Sequence, residues 1–181
     1  LQMAKLWSGA TTGIFVRNSE IYVASTWGGI DRITSDGRVV KETEGHDVCG
    51  IIVDPDGIIY YCETVTGKVY SKASGRSSRV VAQGLSTPEF LFKRGNLLYV
   101  TERLGQKISL IDLTTGGIST AADEAINAMT GERLRLFAPS GIFVDDDETI
   151  YVADSGGQKI VKISADRSQY WVLAGTGGKG F

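Results

Sequence analysis

Residues 141–163 read GIFVDDDETIYVADSGGQKIVKI and contain three short apolar runs, at 141–144, 150–153 and 159–163. An acidic run separates the first two, and a glycine-containing turn separates the last two. A fourth apolar run, at 170–174, follows a second polar turn. Short β-branched and aromatic runs bounded by Asp, Ser and Gly are typical of strands joined by hairpins. The stretch therefore predicts a four-stranded antiparallel meander of roughly 40 residues.

Looser copies of this unit occur three more times along the chain. They align on the tyrosines of IYVAS, IYYCE, LYVTE and IYVAD, which are Tyr22, Tyr60, Tyr99 and Tyr151. The spacings between these tyrosines are 38, 39 and 52 residues. A period of about 40 residues with four strands per unit is typical of a β-propeller blade, because one such sheet cannot bury both faces alone. The sequence thus predicts an all-β fold, a β-propeller with about four four-stranded antiparallel blades.

The repeats also predict how one propeller domain is divided. Residues 1–12 resemble the ends of later units and predict an outer strand of a preceding or closing blade. Between 118 and 138 the period breaks, which predicts an inserted helix or loop; TAADEAINAM at 120–129 has the residue spacing of one short helix. Such an insertion either contributes to a binding face, as propeller loops often do, or only decorates the surface. The predicted blades occupy 13–47, 48–87, 88–117 and 139–175.

The composition indicates a folded globular protein in which acidic and basic residues are nearly balanced. Of the 181 residues, 42% are hydrophobic and 22% are charged, and the net charge is −2. The acidic and basic residues are well mixed, which argues against a nucleic-acid partner bound through a basic field. No apolar run approaches the roughly 18 residues that a membrane span requires.

The fourth unit carries a specific family resemblance. APSGIFVDDDETIYVADSGGQKIVKIS, at 138–164, resembles an NHL repeat, which begins P-x-G-I-x-V-D and has a Y-V-A-D second strand. The second unit matches this pattern moderately, and the first and third match it weakly. Gluconolactonase-like and strictosidine-synthase-like propellers are more distant relatives. The matching residues are Pro139, Gly141, Ile142, Val144, Asp145, Tyr151, Val152, Ala153, Asp154, Gly157, Gln158, Lys159 and Ile160.

The resemblance implies a rigid scaffold that binds a protein or a ligand, and NHL-type propellers usually have six blades. Six blades with this period need about 240 residues or more. The chain is therefore expected to be a fragment of a longer protein, a part of a ring completed by another chain, or a four-bladed propeller. We favour the fragment. Some NHL proteins bind RNA, but the net charge disfavours that function here.

Polar residues just before the first strand of each blade are expected to line one end of the central channel. The metal-capable residues among them are His46, Asp47 and Glu89, and Ser140 occupies the matching place in the fourth unit. Oxygen ligands suit calcium, and a histidine suits zinc. A metal-dependent hydrolase, lactonase or lyase with its site at the channel mouth is therefore the alternative to a binding scaffold.

Two departures from the enzyme families weaken this alternative. The related calcium-dependent lactonase propellers use Glu, Asn and Asp at such positions, but here Ser140 stands where their Asn would be. Peptide-amidating lyase propellers use several histidine ligands, whereas this chain contains one histidine. We therefore favour a protein-binding scaffold without a catalytic residue or cofactor, in which His46 is a hydrogen-bonded structural residue and calcium remains the open option.

A second repeated position follows the second strand of each unit. Ser25, Glu63, Glu102 and Asp154 occupy it, and three of the four are carboxylates. They either form a ring of ligands or accept backbone N–H groups of the following hairpin, as Asp and Ser do in turns. We favour the second interpretation, because a position that repeats with the fold usually serves the fold.

Three further residues are candidates for interaction or cross-linking. Trp27 lies in a predicted hairpin turn and is either an exposed interface anchor or packed between blades. Counting back from the turn at 54–57 places Cys49 opposite Cys62, within reach of a disulfide. A bridge would favour an oxidising, lumenal or extracellular compartment, and the alternative is two small buried thiols.

Overall fold

The computed structural model describes residues 10–122 and 124–178. The outer strand predicted for 1–12 therefore lies outside the described residues over most of its length. The chain divides into two compact units, within Leu1–Gly84 and Leu85–Phe181, which we call the N-terminal and the C-terminal unit. No helix in the described ranges is long and apolar enough to cross a membrane.

The N-terminal unit contains two four-stranded antiparallel sheets in which strands adjacent in the chain pair with each other. Strand β5 of the second sheet packs against β1 and β2 of the first. Their facing side chains form a core that includes Ala24, Ile30, Val48 and Tyr61. The strands of the first sheet are β1 (Thr11–Arg17), β2 (Glu20–Ser25), β3 (Gly29–Ile33) and β4 (Val39–Thr43), and those of the second are β5 (Val48–Val53), β6 (Ile59–Glu63), β7 (Lys68–Lys72) and β8 (Arg79–Ala82).

The C-terminal unit repeats this arrangement with one additional strand. Its first sheet contains β9 (Pro88–Arg94), β10 (Leu97–Glu102), β11 (Lys107–Asp112) and β12 (Ile118–Thr120). Its second sheet contains β14 (Pro139–Val144), β15 (Ile150–Asp154), β16 (Lys159–Ile163) and β17 (Gln169–Ala174), and β13 (Ile126–Asn127) joins it parallel to β17. Strand β14 packs against β9 and β10. The core between the two sheets includes Tyr99, Ile108, Val152 and Val161.

The helix predicted at 120–129 is wrong. Within the described part of that segment, β12 completes the third blade as far as Thr120, and β13 adds to the fourth blade after a turn. Three of the four alanines that suggested a helix, Ala121, Ala122 and Ala125, pack into the core, where Ala125 is completely buried. Two of the four donate backbone hydrogen bonds to distant strands, Ala121 to the carbonyl of Ile108 (2.8 Å) and Ala128 to the carbonyl of Tyr170 (3.1 Å). Tertiary partners have therefore overridden the local helical preference.

Cys49 and Cys62 lie opposite each other across the β5–β6 hairpin, as predicted, but the register of the hairpin differs from the one that the turn predicted. Val53 pairs with Ile59, so the first part of the β5–β6 hairpin is displaced by one residue from the predicted register. A β-bulge between Cys49 and Ile51 takes up this displacement, with Gly50 in the left-handed region at φ 46°. The bulge restores the opposition of the two cysteines.

Candidate functional site

Two of the predicted interaction residues, Trp27 and His46, lie against each other in the N-terminal unit. Trp27 is in the β2–β3 turn, and His46 is in the connection from β4 to β5. Their rings meet edge to face, with centroids 5.9 Å apart and an interplanar angle of 67°. The indole remains 63% exposed. The contact holds the indole in place while leaving most of it available to a partner.

Asp47 acts through its backbone at this edge. Its N–H donates to the carbonyl of Thr26 at 2.5 Å, and its carbonyl accepts the N–H of Thr64 at 3.0 Å. The connection from β4 to β5 is thereby joined to both the β2–β3 turn and the β6–β7 turn. Asp47 has a left-handed backbone, at φ 54°, which Asp tolerates better than most residues.

The same backbone device recurs before the first strand of both blades of the C-terminal unit. Thr87 and Ala138 also have left-handed conformations, at φ 57° and 59°. The carbonyl of Thr87 accepts the N–H of Arg103 at 2.9 Å, and that of Ala138 accepts the hydroxyl of Ser155 at 2.7 Å. The left-handed conformation of Asp47 does not require its carboxylate, because Thr87 and Ala138 adopt the same conformation at the matching positions of the other blades.

Glu89 and Ser140 lie at the starts of β9 and β14, and the structure gives both of them protein partners. The Glu89 carboxylate is 3.3 Å from the Arg103 guanidinium. The Ser140 hydroxyl donates to the carbonyl of Ala153 at 3.2 Å, and the Ser140 carbonyl accepts the hydroxyl of Thr101 at 2.7 Å. Within residues 10–122 and 124–178, no three His, Cys, Asp or Glu side chains are grouped so that they could hold a metal ion.

The repeated acidic position braces the connections between blades. Glu102 and Asp154 are 1% and 0% exposed. The Glu102 carboxylate accepts the N–H of Ser86 at 2.6 Å, and the Asp154 carboxylate accepts the N–H of Phe137 at 2.7 Å. Both donors belong to the connection that leads into the blade. In the first blade, the hydroxyl oxygen of Ser25 accepts an N–H from the turn that follows it. Ser25, Glu102 and Asp154 are therefore backbone acceptors, as predicted, but Ser86 and Phe137 lie before the blade, and only Asp154 also has a backbone interaction with the following hairpin, at Gly157. The Glu63 carboxylate instead accepts the hydroxyls of Thr66 (2.9 Å) and Tyr70 (3.0 Å).

A lysine opposite each of these two acids partly compensates the buried charge. The Lys107 ammonium is 3.6 Å from Glu102, and the Lys159 ammonium is 3.7 Å from Asp154. Burial is the main influence on Asp154 and raises its pKa, while the Phe137 N–H and the Lys159 charge oppose the shift. Such an arrangement stabilises the local backbone and leaves little carboxylate surface for a ligand.

Sequence reasoning missed a third repeated position, at the tips of the turns between second and third strands. Trp27, Val65 and Leu104 each lie five residues after the repeated tyrosine, and the fourth blade has Gly156 there. Val65 is 78% exposed, and Leu104 is 72% exposed. Tight turns usually carry Gly, Asn, Asp, Ser or Pro, so three apolar tips at one repeated position are unusual. Comparing this column of the four repeats would have identified them.

The two cysteines are free thiols in the structure. They face each other across the β5–β6 hairpin, and the Cys62 thiol donates to the carbonyl of Cys49 at 3.0 Å. Cys62 is buried, and Cys49 is partly buried. This arrangement corresponds to the alternative of two small thiols within the blade.

Comparison with known proteins identifies the fold and leaves the family open. No protein-family model and no curated protein matches the chain. A streptogramin B lyase structure is similar with a TM-score of 0.68 and 17% identity, covering 88% of this chain and 53% of that chain. A Staphylococcus aureus virginiamycin B lyase in complex with quinupristin has a TM-score of 0.69 and 19% identity, covering 90% and 55%. This chain therefore spans about half the length of these two lyase chains.

Two further similar structures are of proteins with other roles. An auxiliary nutrient binding protein from Bacteroides thetaiotaomicron has a TM-score of 0.70 and 15% identity, covering 91% of this chain and 47% of that chain. A nidogen/laminin complex has a TM-score of 0.64 and 14% identity, covering 86% and 64%. Together with the four antiparallel sheets, these likenesses confirm the predicted β-propeller fold, with part of a propeller in this chain. They do not single out NHL repeats among propellers.

Proposed function

We propose that this chain is a propeller scaffold that binds a protein partner through the apolar tips of its β2–β3 and β6–β7 turns. The observation that carries the proposal is the exposed Trp27, held edge to face by His46. Val65 is also exposed. It lies on the same edge of the N-terminal unit as Trp27, because backbone hydrogen bonds of Asp47 join the turns that carry these two residues. Leu104 repeats the feature in the C-terminal unit.

The energetics favour a protein partner for this edge. Burying a large exposed apolar side chain completely contributes about 1.5–3 kcal/mol, and this stabilisation is gained only when a partner covers the side chain. Tryptophan is among the residues most enriched at interface hot spots. The indole is already held by His46, so Trp27 would lose little conformational freedom when a partner binds. The nidogen/laminin complex shows that a similar fold occurs in a protein assembly, which supports the proposal only by analogy.

A selection from a random peptide library tests the proposal without a known partner. Peptides are selected on the wild-type chain, and their affinities are then measured for Trp27→Ala, Val65→Ser and the control Val80→Ala. Val80 is a 41% exposed apolar residue on β8, away from the turns. We expect a shared peptide motif whose affinity falls about thirtyfold in Trp27→Ala, as for a hot-spot residue, and does not change in the control. Selected peptides that bind Trp27→Ala and Val65→Ser as tightly as the wild type would refute the proposal.

From the resemblance of the fourth unit, we further propose an NHL-type propeller whose ring is completed by more chain or by another subunit. Exposed apolar side chains on the first strand of the first blade support this: Ile14 is 65% exposed and Val16 is 62% exposed. Both project from one face of β1, because side chains two residues apart in a strand share a face. An intact mass of 19.5 kDa for the native protein, together with a monomeric sedimentation profile, would contradict this proposal.

The competing function is a calcium- or zinc-dependent hydrolase or lyase at the channel mouth. No grouping of described side chains favours it, so it ranks second. Metal analysis of the purified protein separates the two functions. Stoichiometric calcium or zinc that is lost in Glu89→Ala would favour the enzyme.

A further inference from the structure

A cleft in the C-terminal unit combines cationic and aromatic side chains. It has a volume of about 610 Å³ and is lined by Glu132, Arg133, Arg135, Phe137, Lys159 and Tyr170. Pockets of roughly 300–1,000 Å³ are typical of small-molecule sites. The cleft therefore has the size of a binding site, and all of its lining residues belong to the C-terminal unit.

The wall formed by residues 135–137 is held in place by the neighbouring blade edge. The Lys159 ammonium donates to the carbonyl of Arg135 at 3.1 Å, and Asp154 accepts the N–H of Phe137 at 2.7 Å. The turn after β15 approaches this wall so closely that a Cβ on Gly156 would lie 2.1 Å from the carbonyl oxygen of Phe137. A wall ordered before binding reduces the entropy cost of binding a ligand.

The charge in the cleft is mainly positive. Three cations and one carboxylate line it. Arg135 is exposed, and within the described ranges no hydrogen bond or ion pair involves its guanidinium. Arg133 pairs with Glu124 at 2.9 Å, but both side chains are more than 60% exposed. Because exposed ion pairs contribute little, the Arg133 guanidinium can exchange this partner for a ligand at small cost.

An aromatic surface adjoins these cations. Phe137 is 49% exposed although its backbone is fixed. Tyr170, at the same cleft, is 5% exposed and belongs to the core. A flat apolar group can stack on the Phe137 ring, while an oxyanion binds the planar guanidinium of Arg135 through paired N–H donors.

We propose that this cleft binds a small organic anion, a carboxylate or phosphate attached to an aromatic ring. The anion binds Arg135 with help from Arg133, and the ring packs on Phe137. This function is additional to protein binding at the turn tips, since it uses another unit and another class of ligand. It also gives a role to the segment that interrupts the repeat period between the third and fourth blades.

Isothermal titration calorimetry at low ionic strength tests the site with phenyl phosphate and phenylacetate as probes. Benzyl alcohol is the neutral counterpart, and inorganic phosphate is the counterpart without a ring. We expect at least one aromatic anion to bind at least tenfold more tightly than both counterparts, and the stronger of the two anions identifies phosphate or carboxylate as the preferred group. Raising the salt concentration should weaken binding.

Matched variants identify the residues. Arg135→Gln should weaken the better probe tenfold or more, as loss of a charge-assisted hydrogen bond does. Arg76→Gln makes the same charge change at an exposed turn of the N-terminal unit and should leave binding unchanged. Trp27→Ala should also leave it unchanged, so this site and the protein-binding surface can fail separately. The proposal is overturned if neither aromatic anion binds, if benzyl alcohol binds equally well, or if Arg135→Gln, shown by circular dichroism to be folded, binds like the wild type.

Discussion

Replacing Asp154 should reveal how strongly a buried carboxylate braces the connection between blades. The side chain is 0% exposed, accepts the N–H of Phe137 at 2.7 Å, and lies 3.7 Å from the Lys159 ammonium. Asp154→Ala removes the acceptor and leaves the lysine without its carboxylate. Asp154→Asn retains an oxygen for the backbone bond and removes only the charge.

The magnitude follows from these contacts. A hydrogen bond to a charged group contributes about 1.5–3 kcal/mol, and breaking a buried pair costs about 3–5 kcal/mol. The Lys159 side chain is 17% exposed, so water can solvate part of its charge. We therefore expect Asp154→Ala to lower the free energy of unfolding by about 2–4 kcal/mol. Asp154→Asn should lower it much less, because it keeps the acceptor and removes a charge that burial already disfavours.

Urea unfolding at neutral pH measures the change, and hydrogen exchange of the Phe137 amide localises it. Asp146→Ala is the matched control, because Asp146 is a fully exposed carboxylate on the same blade whose ion pair with Arg94 spans 3.2 Å. The control should change stability by no more than about 1 kcal/mol. Equal losses in Asp154→Ala and Asp146→Ala, or unchanged exchange at Phe137, would show that the carboxylate does not act as a brace.

The pH dependence provides an independent check with a definite sign. Burial raises the pKa of Asp154 above its ordinary value of 3.8, so the folded state binds the proton more tightly than the unfolded state. The contribution of this group to stability therefore falls as pH rises from the ordinary value through the raised one. The wild type should lose stability relative to Asp154→Asn across that window. The opposite slope would mean that the ionised carboxylate is net favoured in the folded state.

Three further predictions address other parts of the chain. Gly156→Ala should lower the melting temperature, because overpacking costs about 1–3 kcal/mol and its Cβ would lie 2.1 Å from a backbone carbonyl oxygen. A melting temperature equal to that of the wild type would contradict this close approach. Hydrogen bonds, first from the Ser164 hydroxyl and then from the Ser168 N–H, lower the pKa of Asp166 to about 2. Ser164→Ala should therefore raise this pKa, which a carboxyl NMR titration measures. Because the ionised Asp166 stabilises the fold until pH falls to its folded-state pKa, the variant should lose this stabilisation at a higher pH than the wild type does. Iodoacetamide should label both Cys49 and Cys62 in unfolded, unreduced protein, and the absence of labelling would establish a bridge.

The repeat pattern predicted the blades because hairpins are local structures. Alternating side chains, turn residues and the recurring tyrosine lie within a few residues of each other, and these features specify strands and their order. The acceptor role of Glu102 and Asp154 was predicted from their place after the second strand, but their donors Ser86 and Phe137 lie 16 and 17 residues earlier in the chain, beyond the predicted hairpin. The apolar turn tips were equally visible in the repeat alignment, but only Trp27 was recognised, because each tip was considered alone.

Interactions between distant residues decided the features that the sequence left open. Local spacing favoured a helix at 120–129, but backbone partners in β11 and β17 drew this segment into strands and turns. The bulge at Gly50 corrected a register that the turn alone placed one residue away. The cleft at Arg135 and Phe137 exists because Asp154 and Lys159, about 20 residues further along the chain, hold its wall. Sequence periodicity by itself determined the blades, because the hydrogen bonds of a blade join strands that are neighbours in the sequence. Only the tertiary structure determined the cleft, because the polar contacts that hold its wall join segments that no local sequence pattern relates.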